Sequence, residues 1–142
     1  MDTQQIRSIR ERWIYALYVF SHLSYQKQLW IESKFSDSIG DFNKAISQYF
    51  DDLDLDNGYD SFINENIVSQ QEADIVCDFH KLLVSYIDQI EKRNLSDKNI
   101  LRDIEWINLT KLALENWNKL KDIITDKTEI FYIASLENKF LT

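Results

Sequence analysis

Apolar residues recur at three- and four-residue intervals along most of this chain. Ile6, Ile9, Trp13, Leu17, Phe20 and Leu23 form one stripe, and Ile14, Tyr18, Tyr25 and Leu29 a second. Both fit the 3.6-residue period of a helix, so the pattern predicts a first helix over Thr3–Ser33 with apolar surface on two sides. Such a helix sits centrally, with partners on each side. The stretch KFSDSIGD breaks the pattern, and Ser38 with Asp41 reads as a capping box: the hydroxyl accepts an early amide and the carboxylate reaches back. Phe42, Ala45, Ile46, Tyr49, Phe50 and Leu53 then give a clean helical face. Asn57 and Gly58 supply residues that tolerate positive φ where that helix ends. YDSFINENI is read as a short helix or an ordered loop.

Downstream, SQQE (Ser69–Glu72) is a second capping box. It opens a helix whose apolar face is Ile75, Val76, Phe79, Leu82, Leu83, Tyr86, Ile87 and Ile90, with Lys92 and Arg93 suited to its C-terminal dipole. Asp97 or Asp103 caps the next helix, with Trp106, Leu109, Ala113, Trp117, Leu120 and Ile124 on one face. DKTE (Asp126–Glu129) is a third box, ahead of Ile130 to Leu141. The β-branched and aromatic run IFYIAS leaves strand as an alternative to helix there. With no proline and only Gly40 and Gly58, the chain lacks the turn residues that sandwiches and barrels require. The expectation is an all-α, single-domain bundle of about five helices spanning residues 1–142. A chain of this length buries roughly 68% of its unfolded surface, enough for a core without staples.

Charge adds the feature that stands out. The net charge is −8, but residues 35–79 hold eleven acids against one base, Lys44, while the remainder is slightly basic. An acidic surface disfavours nucleic acid and anionic membranes as direct partners. Cys77 is the lone cysteine, the N-terminus MDTQQIRSIRERW is unlike a secretory leader, and no uncharged apolar run reaches 18 residues, so a cytoplasmic location is expected.

Candidate chemistry is sparse. In DDLDLDNGYD, Asp52, Asp54 and Asp56 match positions 1, 3 and 5 of an EF-hand loop. Position 6 is Asn57 rather than glycine, however, and position 12 is Ile63, which cannot ligate; Glu65 comes two residues late. Cys77 and His80 have a spacing zinc can use, but only His22 is left to help beyond carboxylates. Asp74 and Asp78, with Glu72 close by, keep open a carboxylate-based enzyme. Phosphate loops, GxSxG and HExxH are absent. No catalytic, cofactor-binding or metal-binding residue is assigned, and no enzymatic activity is expected. Trp13 and Trp117 read as core anchors; Trp30 and Trp106 could edge a groove.

The stretches LWIESKFSDSIGDFNKAISQYFDDL, SQQEADIVCDFHKLLVSY and NILRDIEWINLTKLALENWNKL resemble small helical bacterial immunity proteins, those encoded beside polymorphic or contact-dependent toxins. The resemblance implies a non-catalytic role, in which the protein binds a toxin domain and blocks it. A concentrated acidic segment fits a basic toxin surface, since complementary charge speeds capture. The candidate contact residues are Asp51, Asp52, Asp54, Asp56, Asp60, Glu65, Trp30 and Trp106. The alternatives are a helical adaptor or regulatory protein without a toxin partner and, third, the carboxylate enzyme. Because the twelfth-position ligand is missing, calorimetric titration with calcium is expected to show no micromolar site. A one-to-one isotherm at that level would revive the EF-hand reading.

Overall fold

In a computed structural model of the chain, residues 1–32 and 40–140 are described. The regular structure among those residues is all helical, with no strand: α1 (Thr3–Ser21), α2 (Leu23–Gln26), α3 (Phe42–Phe50), α4 (Asp60–Asn64), α5 (Gln70–Asp88), α6 (Asp97–Ile100), α7 (Ile104–Ile123) and α8 (Lys127–Phe140). The all-α class is as expected, but the count of five is corrected to eight α-helices among the described residues. The additions, α2, α4 and α6, are single turns of four or five residues. α2 falls within the first predicted helix, α4 settles YDSFINENI as a short helix, and α6 is too short to show a periodic stripe in sequence.

The first predicted helix does not run unbroken to Ser33. It stops at His22, whose backbone is extended (φ −123°, ψ 93°). It resumes as α2 and then a π-helical turn at Lys27–Ile31. The break is satisfied from within. The buried Gln26 amide donates to the carbonyls of Val19 (2.8 Å) and Phe20 (3.2 Å), and its Oε1 accepts from Trp106 Nε1 of α7 (2.9 Å). Periodicity could not show this, because apolar spacing continues across the break. Both stripes point inward as expected: Trp13, Leu17, Phe20, Ile14, Tyr18, Tyr25 and Leu29 are buried. α1 is central, packing against α7, α3, α2 and α8, while α5 lies along α7.

Capping follows the sequence in part. Ser69 and Glu72 exchange both bonds of a capping box (3.1 and 2.9 Å), and Asp2 with Gln5 does the same at α1, which the pattern had not suggested. Ser38 lies outside the described residues; α3 is capped instead by Asp41, which accepts from the Lys44 amide (2.7 Å). Ser96 caps α6 and Asp103 caps α7. The last segment is helix rather than strand. Glu129, Ile133, Leu136 and Phe140 are buried at helical spacing, so packing overrides local β propensity. Leu82 and Ile90, predicted on the inner face of α5, are exposed: the face is narrower than the apolar run, and Ile90 falls in a 3₁₀ turn beyond the helix end.

One side chain ties the ends of three helices. The Arg10 guanidinium donates from Nε and Nη2 to Glu129 (2.6 and 2.9 Å), from Nη1 and Nη2 to Glu72 (2.9 and 2.8 Å), and from Nη1 to the Ile67 carbonyl (2.7 Å). All five of its N–H groups are used. Burial works against both the Arg10 cation and the Glu72 anion. The paired carboxylates nevertheless hold Arg10 above its ordinary value, and Arg10 with the Ser69 amide holds Glu72 below its own. Removing one partner from a buried ion network strands the others. Arg10→Met is therefore expected to cost about 3–5 kcal/mol in urea unfolding. Adding Glu72→Gln and Glu129→Gln, which keep both capping positions, should recover part of that loss. A cost for Arg10→Met below roughly 1 kcal/mol would place it among surface ion pairs and refute the buried network.

Candidate functional site

The acidic segment joins α3 to α4, and its alternation explains its shape. In DDLDLD, Leu53 and Leu55 are buried while Asp51, Asp52, Asp54 and Asp56 are exposed. The leucines anchor the turn and the aspartates are left outside. The turn that follows α3 closes in a Schellman-type arrangement at Asp54, which takes φ 55°. The Asp54 amide donates to the Asp51 carbonyl (3.3 Å) and the Leu55 amide to the Phe50 carbonyl (3.0 Å). α4 repeats the device at Asn66 (φ 61°), with Ile67 donating to Phe62 (2.8 Å) and Asn66 to Ile63 (3.0 Å). In both, the flanking pair is buried: Phe50 with Leu55, and Phe62 with Ile67. Gly58 has positive φ (95°) as expected, but Asn57 does not. The helix-ending position is Asp54, in a chain with few glycines to spend on such sites.

The two ends of the segment are fastened to each other. The Tyr49 and Tyr59 hydroxyls lie 2.8 Å apart, the indole N–H of Trp13 donates to Tyr59 (2.8 Å), and Tyr49 lies 2.8 Å from His80 Nδ1 on α5. Burial raises both phenols above their ordinary value, and burial lowers His80 below its own. The aspartates thus sit on a loop of fixed shape, held by two leucines within and a hydroxyl pair across its base.

Of the sequence-predicted contact residues, Asp51, Asp52, Asp54, Asp56, Asp60 and Glu65 are all exposed. Asp52, Asp54 and Glu65 line one hollow of about 230 Å³ together with Arg12 and Met1. Asp51 accepts from the Ser47 hydroxyl (3.1 Å), and Asp56 and Asp60 lie outside that hollow. None of the six forms an ion pair among the described residues, whereas Glu72, Glu129, Asp103 and Glu137 all do. The two tryptophans are a correction. Trp106 is 1% exposed and bonded to Gln26, and Trp30 is 7% exposed, edge-on to Phe42 and tilted against Trp106. They are core, not the rim of a groove, because the break at His22 brings Gln26 and Trp30 onto α7.

Other candidate chemistry disperses. Among the described residues no three of His, Cys, Asp and Glu converge to hold a metal ion. His80 Nδ1 is engaged by Tyr49, Cys77 is half-buried, and Asp74 and Asp78 face outward, Asp74 accepting from Gln70 (2.8 Å). A cleft of about 530 Å³ was not foreseen. Arg7, Arg10, Glu72, Asp126 and Glu129 line it where the N-termini of α1, α5 and α8 meet. Two capping boxes in the sequence mark its carboxylates; nothing in the sequence marks Arg10 as their shared partner.

What fold and surface define is an all-helical protein with a shaped acidic loop and, among its described residues, no group of three metal-ligating side chains. The chain belongs to the family DUF7945, a domain of unknown function, whose model matches residues 5–128. That stretch holds the acidic loop, the Trp13–Tyr59–Tyr49–His80 chain, Arg10 and Glu72, and ends one residue before Glu129. No curated protein and no solved structure matches the chain.

The loop geometry makes opposite predictions for two neighbouring positions. A side chain at Gly58 would meet no atom within 4 Å, so Gly58→Ala suffers only from its backbone angle and should cost about 1 kcal/mol. Asp54→Gly should stabilise by up to about 1 kcal/mol by releasing an L-residue from the same region. Urea melts of the two variants check this; a stabilised Gly58→Ala would contradict the assigned backbone.

Proposed function

We propose that the protein is a binding protein of the immunity type, which captures a toxin domain through a basic surface on that domain and blocks it. The observation that carries this reading is the division of labour among its acids. Four carboxylates that tie helices together are ion-paired: Glu72 and Glu129 with Arg10, Asp103 with Lys92, Glu137 with Lys121. The six acids from Asp51 to Glu65 are exposed and form no ion pair among the described residues; four lie on a loop anchored by Leu53 and Leu55, and Asp60 and Glu65 at the two ends of α4. Exposed like charges repel one another and gain nothing within the fold, but they attract a cationic partner and accelerate its docking. A rigid loop also loses little conformational freedom on binding. With Trp30 and Trp106 in the core, the contact surface is assigned to Asp51, Asp52, Asp54, Asp56, Asp60 and Glu65.

The test uses a toxin encoded beside this gene, with growth rescue on co-expression as the first readout. Asp52→Asn, Asp54→Asn and Asp56→Asn combined should leave stability unchanged or slightly higher. The same variant should slow association with the toxin domain by about tenfold or more at low salt, with the difference shrinking as salt rises. Equal association rates at low salt would remove the acidic loop from the interface. Failure of the wild type to rescue growth would remove the immunity role.

A further inference from the structure

The hydrogen-bond chain beneath the acidic loop has a direction, and counting donors fixes it. Trp13 Nε1 can only donate, so Tyr59 accepts from it. If Tyr59 then donates to Tyr49, and Tyr49 to His80 Nδ1, every proton in the chain has an acceptor. This requires a neutral imidazole with its proton on Nε2. The reverse direction, with Nδ1–H donating to Tyr49 and Tyr49 to Tyr59, leaves the Tyr59 hydroxyl proton without an acceptor among the described residues. Tyr59 is buried (8% exposed), and Tyr49 is fully so (0%). A doubly protonated imidazole can only donate, so it forces that reversed, deficient chain.

We propose that His80 and the Tyr49–Tyr59 hydroxyl pair form a proton-operated latch on the acidic loop, closed while His80 is neutral and opened when His80 takes up a proton. The latch spans the loop because Tyr49 and Tyr59 flank it on either side and His80, on α5, sets the polarity of the bond between them. His80 is faced by Tyr49 and Phe50 from α3 and by Tyr59 at the start of α4, with Cys77 one turn away on its own helix. No carboxylate pairs with it among the described residues, so nothing there favours the charged form, and burial keeps it neutral. A histidine held below its unfolded value near 6.5 contributes stability above that pH and loses it as pH falls through the folded value. The latch therefore closes at neutral pH and loosens on acidification. This inference concerns the free protein and does not depend on any partner.

The experiment is amide hydrogen exchange of the isolated protein between pH 7.5 and 4.5, corrected for intrinsic exchange, with the His80 imidazole followed by NMR. Below 6.5, opening of residues 51–60 should rise by up to about tenfold per pH unit as His80 titrates, while α7 amides change little. His80→Asn places a non-titrating acceptor near Nδ1 and keeps every aspartate, so its loop exchange should be flat over the same range. His22→Asn should retain the wild-type response. Loop opening that stays constant while His80 titrates in the wild type overturns the latch, as does an undiminished response in His80→Asn. Should His80→Asn not fold, the wild-type and His22→Asn curves decide alone, and loss of the response in His22→Asn would assign it to the other histidine.

Discussion

A guanidinium placed between two carboxylates and a carbonyl holds this bundle at one end. Arg10 meets Glu72 of α5, Glu129 of α8 and the Ile67 carbonyl just ahead of α5, and spends every donor it has. The two acids are also third residues of their helices, at Ser69 and Asp126 caps. Glu72 serves both tasks, returning a bond to the Ser69 amide while gripping Arg10; Glu129 gives up the return bond and turns wholly to the cation. Charges at helix N-termini would otherwise gain only from the helix dipole and a cap. Here they converge on one buried cation, so the register of α1, α5 and α8 is set by five hydrogen bonds of fixed geometry.

At the acidic loop the fold takes a different approach. Polar groups inside are chained, Trp13 to Tyr59 to Tyr49 to His80, and the charges outside are left free. Leu53 and Leu55 bury themselves while the aspartates between and beside them point to water. Asp54 and Asn66 take the left-handed positions that glycine usually fills. Exposed like charges gathered this closely repel one another and gain nothing within the fold.

The helical class was legible because it rests on short-range physics. Stripes at 3.6-residue spacing, the Ser69–Glu72 box and the scarcity of glycine and proline are local, and the buried faces of α1, α3 and α7 follow them closely. The acidic segment and its exposure were legible for the same reason: carboxylates stay in water unless paired.

What the sequence could not decide are meetings between residues far apart. That Gln26 seals the break at His22 depends on Trp106, 80 residues away. The same contact made Trp30 and Trp106 core rather than rim. Arg10 finds Glu129 across 119 residues, and no local pattern announces it. Which acids are paired and which are free was settled by packing too: Glu72 is as acidic in sequence as Asp52, and only the arrival of α1 brings it a cation. The sequence alone determined the helical class, most of the long helical faces and where negative charge accumulates, because these depend on neighbours a few residues away. The tertiary structure decided which side chains are buried together and which charges stay unpaired, because those depend on helix packing and on the cost of burying a polar group without its mate.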